Sequence, residues 1–157
     1  MITSYSKEQS RAYRLISEHY GDKTTERSGV RLMNHIDEGI EILRSEGADP
    51  LTIDSYCLHP ILQSDDAFRA NYEMDFTGVP TAALLLAMEY RRVANSYLST
   101  MPIEGFVGFT DDRIRLMLLA DKLQNEKDFR LYHEGLHPRT AELREYFDNW
   151  IKVLLGR

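Results

Sequence analysis

A single cysteine, Cys57, stands among 157 residues. No disulfide can form within such a chain, so the fold needs no oxidising compartment and a cytoplasmic setting is expected. Long apolar runs are missing too. The longest, Ala82 to Met88, falls far short of the ~20 residues of a spanning helix, and the charged N-terminal stretch lacks the apolar core of a signal peptide. No membrane association is expected. A basic excess is also absent: 19 Lys and Arg stand against 25 Asp and Glu, for a net charge of −6. That balance argues against gripping duplex nucleic acid, although a small anionic ligand depends on local Arg and Lys placement instead. Five prolines and nine glycines, with 43% hydrophobic and 28% charged residues, exclude a fibrous repeat or a disordered tail. One globular domain over residues 1–157 is the expectation.

Apolar residues recur at helical spacing almost throughout, and alternating stretches are scarce, so the reading is all-α. A first helix is expected over about 7–20, capped by Ser6, with Ala12, Leu15, Ile16 and His19 inward and Gly21 as its stop. A second covers about 31–46, where Leu32, Ile36, Gly39, Ile40 and Leu43 share a face beside His35 and Gly47 terminates. A third starts after Pro50, with Thr52 as cap, carries Ile53, Tyr56 and Cys57, and is expected to break at Pro60. An acidic loop, Ser64-Asp65-Asp66, follows. A long helix over about 81–100 begins at Pro80, with Leu84, Met88, Val93 and Tyr97 as its apolar series, and ends at Met101-Pro102. After a Gly-punctuated loop at 103–109, Thr110 caps a helix to about 125, and a last helix over about 139–155 turns Leu143, Phe147, Trp150 and Leu154 inward. No internal repeat is present.

His133-Glu134-Gly135-Leu136-His137 matches the zinc-protease pattern of two histidines four apart with a glutamate base. That chemistry needs both imidazoles on one face of an unbroken helix. Gly135 inside the motif and Pro138 directly after it oppose such a helix, and a polar turn with solvated histidines is expected.

A distributed set is better placed. Asp121 follows Ile114, Met117 and Leu118 at helical spacing, which puts a carboxylate on an apolar face. A buried carboxylate needs a partner: an arginine, a backbone donor, a histidine or a metal. His35 and His59 with Asp121 form a donor set suited to Zn, Mn or Fe, and three protein ligands leave positions for water and substrate. Periodicity alone favours the plainer alternative, in which inward histidines are hydrogen-bonded core residues.

Three segments in order strengthen the metal reading: Arg27-Ser28-Gly29 followed by His35; Gly47-Ala48-Asp49 with Thr52 and Leu58-His59; and Leu119-Ala120-Asp121-Lys122-Leu123-Gln124-Asn125. Over about residues 5–130 the chain resembles the HD-domain family, and within it the hydrolase domain of the RelA/SpoT proteins and their small single-domain relatives. The resemblance implies a compact helical bundle around a divalent metal, commonly Mn, held by His35, His59 and Asp121. Family members hydrolyse phosphorylated nucleotides, including removal of the 3′-pyrophosphate of guanosine tetraphosphate. It also implies that Arg27, Ser28 and Gly29 lie by the nucleotide and that Asn125 contacts it. Lys122, Arg91 and Arg92 are further candidates for phosphate contacts, the alternative for the two arginines being a solvated helix face. Tyr56, one turn before His59, is a candidate for the pocket wall or the core.

The chain departs from that family where acid chemistry is concerned. Pro60 stands at the aspartate of the histidine-aspartate signature, and Gln63 and Ser64 stand at its acidic Glu-Asp pair. An amide has no titratable proton near neutral pH, so Gln63 cannot be a general base. Asp65 and Asp66, after a register shift, or Glu38, one turn from His35, are the candidates for acid/base work. The expected function is a divergent metal-dependent phosphohydrolase acting on a phosphorylated nucleotide. The alternatives are an inactive relative that binds or sequesters a nucleotide and, after it, a protein-interaction module; the sequence also allows a homo-oligomer.

Overall fold

The structure is a computed structural model that describes residues 4–95, 106, 108, 109 and 111–156. The fold is all-α, with seven α-helices among the described residues: α1 Arg11–Tyr20, α2 Met33–Ser45, α3 Pro50–Leu62, α4 Asp65–Asn71, α5 Thr81–Val93, α6 Asp112–Asp128 and α7 Thr140–Leu154. None of the described helices is long and apolar enough to cross a membrane.

Caps account for several boundaries that periodicity misplaces. The first helix starts at Arg11, not Lys7, because Ser10 is its N-cap: the Ser10 hydroxyl accepts the Tyr13 N–H and itself donates to Asp54 Oδ1 on α3 at 2.6 Å. Thr52 is not the cap of α3. Asp49 accepts both the Thr52 N–H and its hydroxyl, each at 2.7 Å, and Pro50 takes the first helical position, where a missing N–H costs nothing. The expected acidic loop is instead a short helix, α4, since Ser64 caps the Ala67 N–H and Asp65 and Asp66 sit in a first turn, where the helix dipole favours negative charge. Asp111 caps α6, while Thr110 and residues 96–105, including Tyr97, Met101 and Pro102, lie outside the described residues.

Pro60 does not end α3. The helix runs on to Leu62, and the Gln63 N–H donates to the His59 carbonyl at 2.9 Å. Nine of the thirteen residues of this helix are buried, so packing outweighs a cost of about 3 kcal/mol for proline in a helix interior. In α5 the inward residues are Ala83, Leu86, Ala87, Tyr90 and Val93, whereas Leu85 and Met88 are exposed. Small residues face α3 there, close enough for the Ser55 hydroxyl to reach the Ala83 carbonyl at 3.0 Å.

The core is one cluster drawn from α1, α2, α3, α5, α6 and α7. Within it α6 packs against α2, α3, α5 and α7, and Ile114, Met117, Leu118, Leu119 and Ala120 are all buried. The polar residues that continue this helix are thereby carried into the interior. Gly39 on α2 marks a close approach to α3: a Cβ there would lie 2.1 Å from the Tyr56 hydroxyl oxygen. Glycine is what leaves room for the fully buried Tyr56 ring beside α2.

Candidate metal centre

His35 on α2, His59 on α3 and Asp121 on α6 converge. His35 Nε2 lies 3.2 Å from Asp121 Oδ1, His59 Nε2 lies 3.5 Å from the same oxygen, and the two Nε2 atoms are 3.3 Å apart. His59 and Asp121 are buried, and His35 is nearly so. A triangle of donors with these edges allows a cation about 2 Å from each, the distance at which transition metals take imidazole and carboxylate ligands. The group could therefore hold a metal ion.

Each donor is aimed from behind. Pro60 has no N–H, so the Tyr56 carbonyl lacks the helical donor that any other residue at position 60 would supply. That carbonyl accepts the Nδ1–H of His59 at 2.5 Å, which leaves His59 Nε2 facing the cluster with its lone pair. His35 Nδ1 meets Gln124 Oε1 at 2.5 Å, and the Tyr56 hydroxyl donates to the His35 carbonyl at 3.1 Å. The outer oxygen of Asp121, Oδ2, accepts from Asn125 Nδ2 at 3.2 Å and lies 3.4 Å from Lys122 Nζ. Oδ1 is left for the imidazoles. Supporting contacts of this kind orient metal ligands and fix histidine tautomers.

The charges follow from the same contacts. Burial works against ionisation of Asp121, yet the His35 and His59 rings beside it and the Lys122 ammonium hold its carboxyl well below the ordinary range. Burial likewise opposes a charged His35, but Asp121 outweighs it and raises that imidazole above its usual value, whereas burial, aided by the His35 charge, pushes His59 down. Lys122 is also buried, and the Asp121 charge overcomes that burial to keep the ammonium protonated. A carboxylate and two ring nitrogens at this spacing need either a shared proton or a cation between them.

The cluster forms the floor of an open cavity of about 630 Å³. Lys122, Asn125, Gln63, Asn95 and Arg31 are on its walls, together with Pro60 and Ser64. The turn before α2, pinned by the pairing of Thr24 with Arg31 and by the Thr25 N–H to the Val30 carbonyl, closes one side.

The other sequence-predicted residues are distributed differently. Arg27 and Ser28 line an adjoining cavity of about 330 Å³ that shares Asn125 and Asp128 with the first. Gly29, with φ of 69°, shapes the turn and lines neither. Tyr56 is wholly buried and supports His35 from below the floor; it is not part of the wall. Asp65 and Asp66 are not brought to the site. Asp65 pairs with Arg91 at 2.6 Å, Asp66 is fully exposed, and neither lines the cavity, because the α4 cap turns both acids to the surface. Glu38 stands behind Gln124, bonded to Lys127, and is also outside the cavity lining. Arg91 and Arg92 are engaged by Asp65 and Glu89, as a charged helix face would be.

The helix breaks between His133 and His137, as expected, but neither imidazole is fully solvated: both are half-buried and line the adjoining cavity. A single π-helical turn, Phe129–His133, ends at the first histidine, and Gly135 takes φ of 81°. Glu134 pairs with Arg144, and His137 Nδ1 accepts the Arg139 N–H at 3.0 Å. Sequence reading missed Gln124, the most buried polar residue behind the cluster at 1% exposure. Its spacing three residues after Asp121 is the signal that was there to find. The chain matches no family model, no curated protein and no solved structure in comparisons with each.

Proposed function

We propose that this protein is a divergent metal-dependent phosphohydrolase acting on a phosphorylated nucleotide. The observation that carries this reading is the convergence of His35 Nε2, His59 Nε2 and Asp121 Oδ1 on the floor of a cavity lined by Lys122, Arg31 and four side-chain amides. Ammonium, guanidinium and amide donors suit phosphate oxygens, and the volume is within the range of small-molecule sites. The resemblance of the three sequence segments to the HD-domain family points the same way.

His35, His59 and Asp121 would hold a divalent ion, which would supply Lewis acidity toward a phosphoryl oxygen and lower the pKa of water. Lys122 and Asn125 keep Asp121 in place and stand on the wall where phosphate oxygens would lie. Gln63, on the same wall, can orient a water by hydrogen bonding but cannot take its proton.

That last point favours a second reading, nucleotide binding without turnover. Asp65 and Asp66, the acids the sequence offers as general base, are directed to solvent. One experiment separates the two: metal analysis of the purified protein, then phosphate release from a nucleotide panel with Mn²⁺, in wild type and Asp121→Ala. Bound metal and phosphate release, both lost in Asp121→Ala, support the hydrolase. Nucleotide binding without release supports the second reading, and absence of metal and nucleotide binding overturns both.

A further inference from the structure

We infer that Gln124 is a positioning residue of the cluster, which holds a hydrogen on Nδ1 of the His35 ring and so turns Nε2 to the cluster as the ligand nitrogen. The inference rests on the metal-binding reading above. The Gln124 amide has two unlike ends, and its surroundings admit one orientation. Nε2 lies 2.7 Å from Asp128 Oδ2 and 3.4 Å from Glu38 Oε2, and an ionised carboxylate only accepts. That end is therefore the donor. Oε1 faces His35 Nδ1 at 2.5 Å and must accept, so Nδ1 carries the hydrogen. A neutral imidazole protonated at Nδ1 leaves Nε2, which faces Asp121 Oδ1 and has the Tyr56 hydroxyl at 3.4 Å, as the nitrogen that can take a cation.

The acceptors that hold Gln124 are themselves held. Lys127 bonds Glu38 and lies 3.4 Å from Asp128 Oδ1, so one ammonium offsets two neighbouring carboxylates. Gln124, Lys127 and Asp128 fall three and four residues apart on α6, and His35 and Glu38 three apart on α2, which puts each set on one helix face. The arrangement ties α2 to α6 through a polar chain that ends on a ligand atom. It also gives Glu38 a role: its carboxylate fixes the direction of the Gln124 amide from outside the cavity.

A plain packing role for Gln124 predicts different results in two variants. Gln124→Leu removes the acceptor at similar volume; Gln124→Glu keeps an oxygen for the Nδ1–H. Long-range ¹H–¹⁵N spectra of the metal-free protein at alkaline pH report the His35 tautomer, and calorimetric titration with Zn²⁺ reports affinity. Wild type is expected to show the Nδ1–H form. Gln124→Leu, folded by circular dichroism, is expected to lose that preference and to bind Zn²⁺ about 10- to 100-fold more weakly, while Gln124→Glu keeps the Nδ1–H form. Unchanged tautomer and affinity in Gln124→Leu, or loss of the Nδ1–H form in Gln124→Glu, overturns the inference. So does an Nε2–H form in wild type, a result available even if neither variant folds. Failure of wild type to bind Zn²⁺ removes the metal reading, while the wild-type spectrum still decides the tautomer.

Discussion

Pro60 and His59 are coupled through a carbonyl that neither owns. Proline at position 60 withholds the amide hydrogen that the Tyr56 carbonyl would otherwise receive, and His59 Nδ1 occupies that oxygen at 2.5 Å. The proline at position 60 thus helps aim the histidine beside it.

Pro60→Ala restores a helical N–H to compete for the Tyr56 carbonyl. Thermal unfolding is expected to show a more stable protein, by about 1–3 kcal/mol. Zn²⁺ affinity is expected to fall several-fold as the His59 ring loses its sole claim on that oxygen. Stabilisation without weaker binding would mean that the carbonyl accepts both donors.

Metal binding to the folded chain alone raises its stability by mass action. At an ion concentration about 100-fold above the dissociation constant, the gain is about 2.7 kcal/mol, or roughly 5–10 °C in Tm for a chain of this size. Asp121→Asn, which removes the anionic ligand, is expected to abolish the shift. Scanning calorimetry with and without Zn²⁺ and Mn²⁺ checks this.

Gly39→Ala places a methyl group 2.1 Å from the Tyr56 hydroxyl oxygen. Tyr56 is wholly buried and has no free volume to enter, so overpacking is expected to cost about 1–3 kcal/mol or more. Because the Tyr56 hydroxyl donates to the His35 carbonyl, the variant should also bind metal more weakly. Urea denaturation with a parallel Zn²⁺ titration measures both effects.

Asp54 gives a pH dependence away from the cluster. Burial raises its pKa above the ordinary carboxyl value, against the opposing hydrogen bonds from Ser10 and Tyr5. The native state then holds this proton more tightly than the unfolded chain, so this group's contribution to stability falls as pH rises from the unfolded value through the folded one. Relative to Asp54→Asn, wild type should become more stable on acidification across that window. Paired Tm measurements from neutral pH down through the carboxyl range check the sign.

Helices, and most of their inward faces, were legible in the sequence because those signals act over three or four residues. Leu15 with Ile16 and Ile36 with Ile40 are buried as their spacing predicts. Boundaries failed where a distant partner intervened. Ser10, rather than Ser6, caps α1 while donating to Asp54 across the helix interface, and small residues turned α5 so that Leu85 and Met88 face outward. The inward carboxylate of Asp121 was also legible, since a charged residue in an apolar register must find a partner. The direction of Asp65 and Asp66 was not, because one capping serine converts their loop into a helix that points them at solvent.

By itself, then, the sequence determined an all-α chain with an acid and two histidines on inward-facing helices. Hydrogen bonding and apolar periodicity are local, and both are written in neighbouring residues. The tertiary structure decided that His35 and His59, 24 residues apart, share one oxygen of Asp121. It decided equally that Gln124, 89 residues from His35, faces that ring. A polar side chain's direction depends on the partner it meets through space, and helix packing alone selects that partner.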